Sequence, residues 1–168
     1  MSRVMNPNED ILENIGRLLV SETVATAESV TAGKLQFLLS QIKEASDNFK
    51  GGLTAYTLEE KVNLLGIDEE EGRRCDCVSA GIAQDMALQA SHLFNTDYGI
   101  GVTGYATPVE ESNFTLYAYF AIAYKMEIVI SEKIDLPADL LGPDAQEEYA
   151  KIIIATFENL LALKSGTL

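Results

Sequence analysis

The stretch Val24-Ala25-Thr26-Ala27-Glu28-Ser29-Val30-Thr31-Ala32-Gly33-Lys34 narrows the choice of folds more than any other part of the chain. It starts as a short β-type run and meets a cluster of small hydroxyl residues and a glycine. Leu35, Phe37, Leu38, Leu39 and Ile42 then recur at helical spacing. A strand that feeds directly into a helix lifts the residues between them to the carboxyl edge of a sheet. It also leaves the first helical N–H groups without partners, a ready place for an oxyanion or a phosphate. Ser29 is the hydroxyl at that edge. Read from the junction alone, Ser29 and Thr31 are better explained as helix caps than as a nucleophile and its neighbour.

The remaining segments repeat the strand and helix signals. A first helix begins at caps among Asn8 to Asp10 and carries Ile11, Leu12, Ile15, Leu18 and Leu19 on its apolar side. Glu44 to Asn48 reads as a polar loop. Gly51-Gly52 introduces a strand over Leu53 to Thr57, and Leu58 to Leu65 returns to helix, closed by Gly66. Asp68 to Asp76 reads as a solvated charged connector. Ser79 caps a helix with Ile82, Met86, Ala90 and Leu93 as its buried stripe.

Tyr98 to Thr103 is a strand running into the Gly104–Pro108 turn. Asn113 to Tyr124 and Met126 to Ile134 form an antiparallel hairpin around Tyr124-Lys125, and Pro143 opens the last helix. The order α-β-α-β-α-α-β-β-β-α predicts an α/β single-domain layered sandwich over residues 1–168. Its sheet is mixed, of about five strands, with helices on both faces. The strand ends after Thr26, Tyr56 and Thr103 gather at one sheet edge, where open α/β folds bind ligands.

Charge and composition exclude several functions. A net charge of −14, with no local Lys/Arg run, repels nucleic acid and anionic membranes alike. No apolar run approaches the roughly 20 residues that span a bilayer, and Met1 to Glu9 lacks the apolar core of a secretion signal, so the expected location is cytoplasmic. Two cysteines and one histidine cannot assemble a four-ligand Cys/His zinc site, and no metal or cofactor is expected. Cys75 and Cys77 read as reduced thiols in a loop, and His92 as an ordinary helix residue.

Tyr56 and Lys61 lie five residues apart across a strand-to-helix boundary, which lets both point into one cleft. With a single histidine a Ser-His-Asp site is excluded as an easy solution, but a neutral lysine can serve as the base for a serine, with a tyrosine passing the proton. By spacing alone, Tyr56 reads first as core and Lys61 as an exposed helix residue paired with a neighbouring glutamate.

Four segments together resemble the CinA C-terminal domain family, in order and over nearly the whole chain. They are Thr26-Ala27-Glu28-Ser29-Val30-Thr31-Ala32-Gly33, Gly51-Gly52-Leu53-Thr54-Ala55-Tyr56-Thr57-Leu58-Glu59-Glu60-Lys61, the Val78-Ser79 helix start, and Val102-Thr103-Gly104-Tyr105-Ala106-Thr107-Pro108. The family's segments read T-A-E-S-C-T-G-G, G-G-V-V-A-Y-S-N-E-A-K and V-T-G-I-A-G-P-G-G-G. The family includes nicotinamide-nucleotide amidohydrolases, which convert nicotinamide mononucleotide to nicotinate mononucleotide and ammonia without a metal. The resemblance implies Ser29 as nucleophile, Lys61 as base and Tyr56 as its partner, with Glu28, Thr31, Gly33, Thr103 and Gly104 around a small-molecule nucleotide. It also implies association into a homo-oligomer, for which the long alternating hairpin offers an edge.

The departures from the pattern are specific. Val30 replaces a cysteine. Ala32 replaces the first glycine and is strained by about 1 kcal/mol or more if that position needs positive φ. Thr107, Val109, Glu110 and Glu111 replace the glycine-rich run, and Gly142-Pro143-Asp144 lacks the arginine of the family's G-D-R, which would clamp a phosphate. These losses set a second expectation beside the amidohydrolase: a non-catalytic or altered-specificity nucleotide-binding member of the same family. An oligomeric interaction protein is a third.

Overall fold

The first two strands are each followed by helices that carry the chain back across the sheet, so the first three strands run parallel; a loop and then a two-residue turn reverse the direction of the last two. The computed structural model describes the backbone of residues 7–166 and the side chains of 10–166. The elements are α1 (Pro7–Leu18), β1 (Val24–Glu28), α2 (Lys34–Leu39), α3 (Ala45–Asn48), β2 (Phe49–Thr54), α4 (Leu58–Leu65) and α5 (Glu69–Arg74). They continue with α6 (Ala80–Phe94), β3 (Tyr98–Gly104), β4 (Leu116–Tyr124), β5 (Glu127–Leu136) and α7 (Pro143–Ser165). The sheet order is β2-β1-β3-β4-β5, with β1 parallel to β2 and β3, and β4 antiparallel to both β3 and β5. The expected mixed five-stranded α/β architecture is the one found.

Alternation along the strands sorts the core into two layers. Val24, Ile100, Val102, Leu116, Phe120 and Ile122 face α1, α2 and α7. Ala27, Ala121 and Ala123 face α6. The α6 side is narrow: a Cβ on Gly99 would stand 2.0 Å from the Ala87 carbonyl oxygen, and one on Gly101 2.3 Å from that of Ala83. Two glycines in β3 and a run of alanines in α6 therefore let helix backbone rest against strand backbone. Among the described residues no helix is long and apolar enough to cross a membrane.

Several boundaries differ from the sequence reading. Asp68–Asp76 is not a plain connector, because the Asp68 side chain accepts from Glu71 N at 2.8 Å and Arg73 pairs with Glu69 one turn away, which caps and braces α5. The polar loop Glu44–Asn48 contains α3, whose Asn48 is buried and donates to the Leu19 and Glu22 carbonyls. β2 runs from Phe49 to Thr54, so Tyr56 lies past its end. The hairpin turns at Lys125-Met126, both with positive φ, and β4 starts at Leu116 rather than Asn113. Phe37 and Leu93, read as stripe residues, are exposed. Asn8, in the expected first cap, lies outside the residues with described side chains.

Candidate active site

Register brings the site together before any side chain does. Glu28 of β1 pairs with Thr54 of β2 and Val102 of β3, so the carboxyl ends of three strands stand at one edge. The ladders continue one residue further on each side, through Ser29 N to the Val102 carbonyl and Ala55 N to the Glu28 carbonyl. Ser29 is therefore held at the last rung of the sheet.

The turn that follows has the strain its sequence foretold. Ala32 has φ of 49° and Gly33 of 95°. Glu28 lies under this turn, fully buried, and its carboxylate accepts from Thr31 Oγ1 at 2.7 Å, Gly33 N at 3.0 Å, Leu35 N at 3.1 Å and Gln36 N at 2.8 Å. These are the orphan donors of α2, taken by a side chain from the preceding strand. Glu28, Thr31 and Gly33 thus hold the turn from beneath and do not line the cavity. The Gly33 N–H, expected to face a ligand, is already committed to Glu28.

Lys61 arrives in the first turn of α4, which is capped by Thr57, whose hydroxyl accepts from Glu60 N at 3.3 Å. Its placement reverses the reading from spacing: Lys61 is 2% exposed, whereas Tyr56 is 64% exposed. The ammonium nitrogen Nζ lies 2.9 Å from Ser29 Oγ, 2.9 Å from the Ala55 carbonyl and 3.4 Å from the Tyr56 carbonyl. Burial pushes the lysine below its ordinary value, against a smaller opposing pull from Cys77 and Asp76. Tyr56 thus meets Lys61 through its backbone, while its ring stands at the mouth of the site.

Ser29 and Lys61 open into a cavity of about 210 Å³ whose other walls include Tyr56, Asp76, Thr103 and Tyr105. Gly104 also lines it. Thr103 is buried and its hydroxyl donates to the Cys77 carbonyl at 2.7 Å, which pins the α5–α6 connector against the end of β3. A larger cleft of about 580 Å³ lies at the opposite edge of the sheet, beside α1 and Thr23. Its Thr23 hydroxyl donates to the Asp97 carboxylate at 3.0 Å, but among the described residues no lysine contacts a hydroxyl there, so the chemistry is assigned to the smaller cavity.

Three residues of the cavity carried no signal in the sequence. Asp76 and Cys77 both have positive φ, and their side chains reach the cavity only because α5 ends just before them. Cys77 is a free thiol, buried, and burial raises its pKa; Cys75 is free too, so both match the expectation of unpaired thiols. Tyr105 donates through its hydroxyl to Asp76 Oδ2 at 3.0 Å. It occupies the place of isoleucine in the family segment, a difference that only this contact makes meaningful. Among the described residues, no group of three or more His, Cys, Asp or Glu side chains is arranged to hold a metal ion.

Comparisons with known proteins identify the family and the fold. A CinA-like protein from Picosynechococcus sp. is 40% identical over 112 residues, 66% of this chain and 27% of that protein. Another CinA-like protein, from Flavobacterium psychrophilum, is 34% identical over 122 residues, 71% of this chain and 29% of that protein. The chain thus spans less than a third of the length of these curated relatives. The competence or damage-inducible protein of Enterobacter asburiae has the same fold, with a TM-score of 0.84 at 24% identity over 94% of this chain and 99% of that one. A CinA superfamily protein of Escherichia coli superposes with a TM-score of 0.80 at 21% identity, covering 95% and 94%. A family model for the CinA C-terminal domain matches residues 8–140, a span that includes every residue of the Ser29–Lys61 cavity, and the chain belongs to the CinA C-terminal domain family.

Proposed function

We propose that the chain is a metal-independent serine-type amidohydrolase that deamidates nicotinamide mononucleotide to nicotinate mononucleotide and ammonia, a step of pyridine-nucleotide salvage. The observation that carries this reading is the 2.9 Å contact between Ser29 Oγ and a lysine that burial disposes to lose its proton. A neutral Lys61 donates its two hydrogens to the Ala55 and Tyr56 carbonyls and turns its lone pair to the serine hydroxyl.

In the first half-reaction Ser29 Oγ attacks the carboxamide carbon as its proton passes to Lys61 Nζ. The tetrahedral intermediate collapses, the C–N bond breaks, and Lys61 returns the proton to the nitrogen, which leaves as ammonia. Water, deprotonated by Lys61, then cleaves the acyl-serine to the carboxylate and restores the hydroxyl. The Val30 N–H, one residue past the nucleophile, has no acceptor among the described residues and is the donor we assign to the oxyanion. Tyr56 fixes the lysine by its carbonyl and presents its phenol to the ligand.

A non-catalytic or altered-specificity nucleotide binder is the second reading, and one observation favours it. Lys61 is the only cationic side chain among the described residues lining the cavity, so no arginine or second lysine waits for a phosphate. An ammonia-release assay with nicotinamide mononucleotide, its riboside and simple amides separates the two. Release that disappears in Ser29→Ala supports the hydrolase. Saturable binding with no release by the native protein supports the binder.

A further inference from the structure

The cavity is lined by the exposed carboxylate of Asp76, which has no ion-pair partner among the described residues. Asp76 accepts from the Tyr105 hydroxyl at 3.0 Å. Tyr105 is braced in turn: its ring meets Tyr117 edge-on at 5.3 Å, and its carbonyl accepts from the Tyr149 hydroxyl at 3.0 Å. Burial, followed by the hydrogen bond to Asp76, pushes the Tyr105 phenol well above its ordinary value, so it stays protonated and orients the carboxylate without removing its charge.

Among the described residues Asp76 forms no ion pair. Lys61 is near enough to feel its field, but the lysine nitrogen is occupied by Ser29 and two carbonyls. Asp76 therefore lines the same cavity as Ser29 as a carboxylate without an ion pair, in the company of Tyr105 and Tyr56. A flat cation satisfies both features at once: the carboxylate by Coulomb attraction and the tyrosine rings by their negative faces.

We infer that Asp76, held by Tyr105, is a specificity-determining subsite for the positive charge of a pyridinium ring, so that the cavity prefers an N-substituted pyridinium carboxamide over a neutral aromatic amide. This rests on the reading that a ring carboxamide occupies the cavity with its amide toward Ser29. The N-substituted nitrogen is meta to the amide, so with the amide at Ser29 the ring charge lies within the cavity that Asp76 lines.

The test uses binding, which needs no turnover. In the Ser29→Ala protein, calorimetric titration with 1-methylnicotinamide, a cation, and with nicotinamide, its neutral counterpart, reads the preference directly. The expected preference for the cation is about tenfold or more at low salt, shrinking as salt is raised. Asp76→Asn added to that protein keeps an acceptor for Tyr105 and a residue that tolerates positive φ, so it removes charge with little change of shape. It should bring the two dissociation constants together while leaving that of nicotinamide unchanged, with a circular dichroism melt confirming the fold. Tyr105→Phe should weaken the preference in part.

Equal affinities in the Ser29→Ala protein, an undiminished preference after Asp76→Asn, or binding of neither compound overturns the subsite. Ammonia release is scored separately. Absence of Ser29-dependent release with the cation preference intact rejects the hydrolase and keeps the subsite; release from charged and neutral amides alike does the reverse.

Discussion

A lysine ammonium has three hydrogens and no lone pair, so the 2.9 Å contact from Lys61 to Ser29 has two chemical meanings. With the ammonium the serine is an acceptor and inert; with the amine it is a donor and a nucleophile. Burial chooses between them by penalising the charged form, which lowers the lysine below its ordinary 10.5. The sign for activity follows: the rate rises with pH as Lys61 loses its proton, on a limb whose midpoint lies below that of a solvated lysine. A pH profile of ammonia release with a midpoint at or above 10.5 would reject Lys61 as base. Lys61→Arg keeps the charge and cannot release it, so turnover should fall on the order of 10²–10⁴-fold, as far as in Lys61→Ala. Near-normal rates in Lys61→Arg would exclude the pair.

Ala32 provides a second test at the same scale, of stability. Its φ of 49° costs an alanine what glycine avoids, whereas glycine loses more freedom on folding. The difference leaves Ala32→Gly more stable by on the order of 0.5 kcal/mol, which a thermal melt should show as a rise of about 1–2 °C. The need for a special backbone here was legible because the resembled family has glycine where Ala32 stands. The exposures of Tyr56 and Lys61 were not, because spacing places residues on a boundary without saying which of them the next helix covers.

Elements were legible where their signals were local. Ser79 accepts from Ile82 N as an N-cap, Gly66 closes α4 at φ of 62°, and Pro143 opens α7, each as expected from a residue type and its position. α5 was missed because a charged run reads as solvated until its cap and its i,i+4 pair are seen together. The consequence was functional: without that helix Asp76 and Cys77 have no reason to face Ser29.

The close packing of α6 on β3 was not read from the sequence, because it rests on glycines whose missing side chains give no periodic signal. Thr103 and Gly104 end β3 at the cavity, and α6 holds that strand by lying against its backbone at Gly99 and Gly101. A methyl at Gly101 would meet the Ala83 oxygen at 2.3 Å and the Ala87 nitrogen at 2.4 Å, neither of which can move without the whole helix. Gly101→Ala should therefore destabilise by about 3 kcal/mol or more. A denaturant titration showing less than about 1 kcal/mol would mean that α6 can shift away from the sheet.

At the scale of the molecule the open question is what covers β5. It is an edge strand ten residues long, paired on one side only with β4, and its Val129 is exposed. Such an edge invites another strand, although Glu127, Glu132, Lys133 and Asp135 line it with the charges that natural edges use to discourage pairing. A net charge of −14 adds a general repulsion between copies that salt screens within about 10 Å at 0.1 M. The two effects make opposite predictions about ionic strength. If apolar edge contact joins copies against that repulsion, association strengthens as salt rises; if the Lys133–Asp135 type of surface pairing joined them, it would weaken. We propose the first. Multi-angle light scattering should then return a mass above the 18.3 kDa of one chain, with the oligomeric fraction increasing between low and moderate salt. Val129→Lys, which adds a charge at the exposed centre of the edge, should shift the mass toward one chain without changing the melting temperature of the fold by more than about 2 °C. A mass of one chain at every salt concentration would reject assembly through this edge.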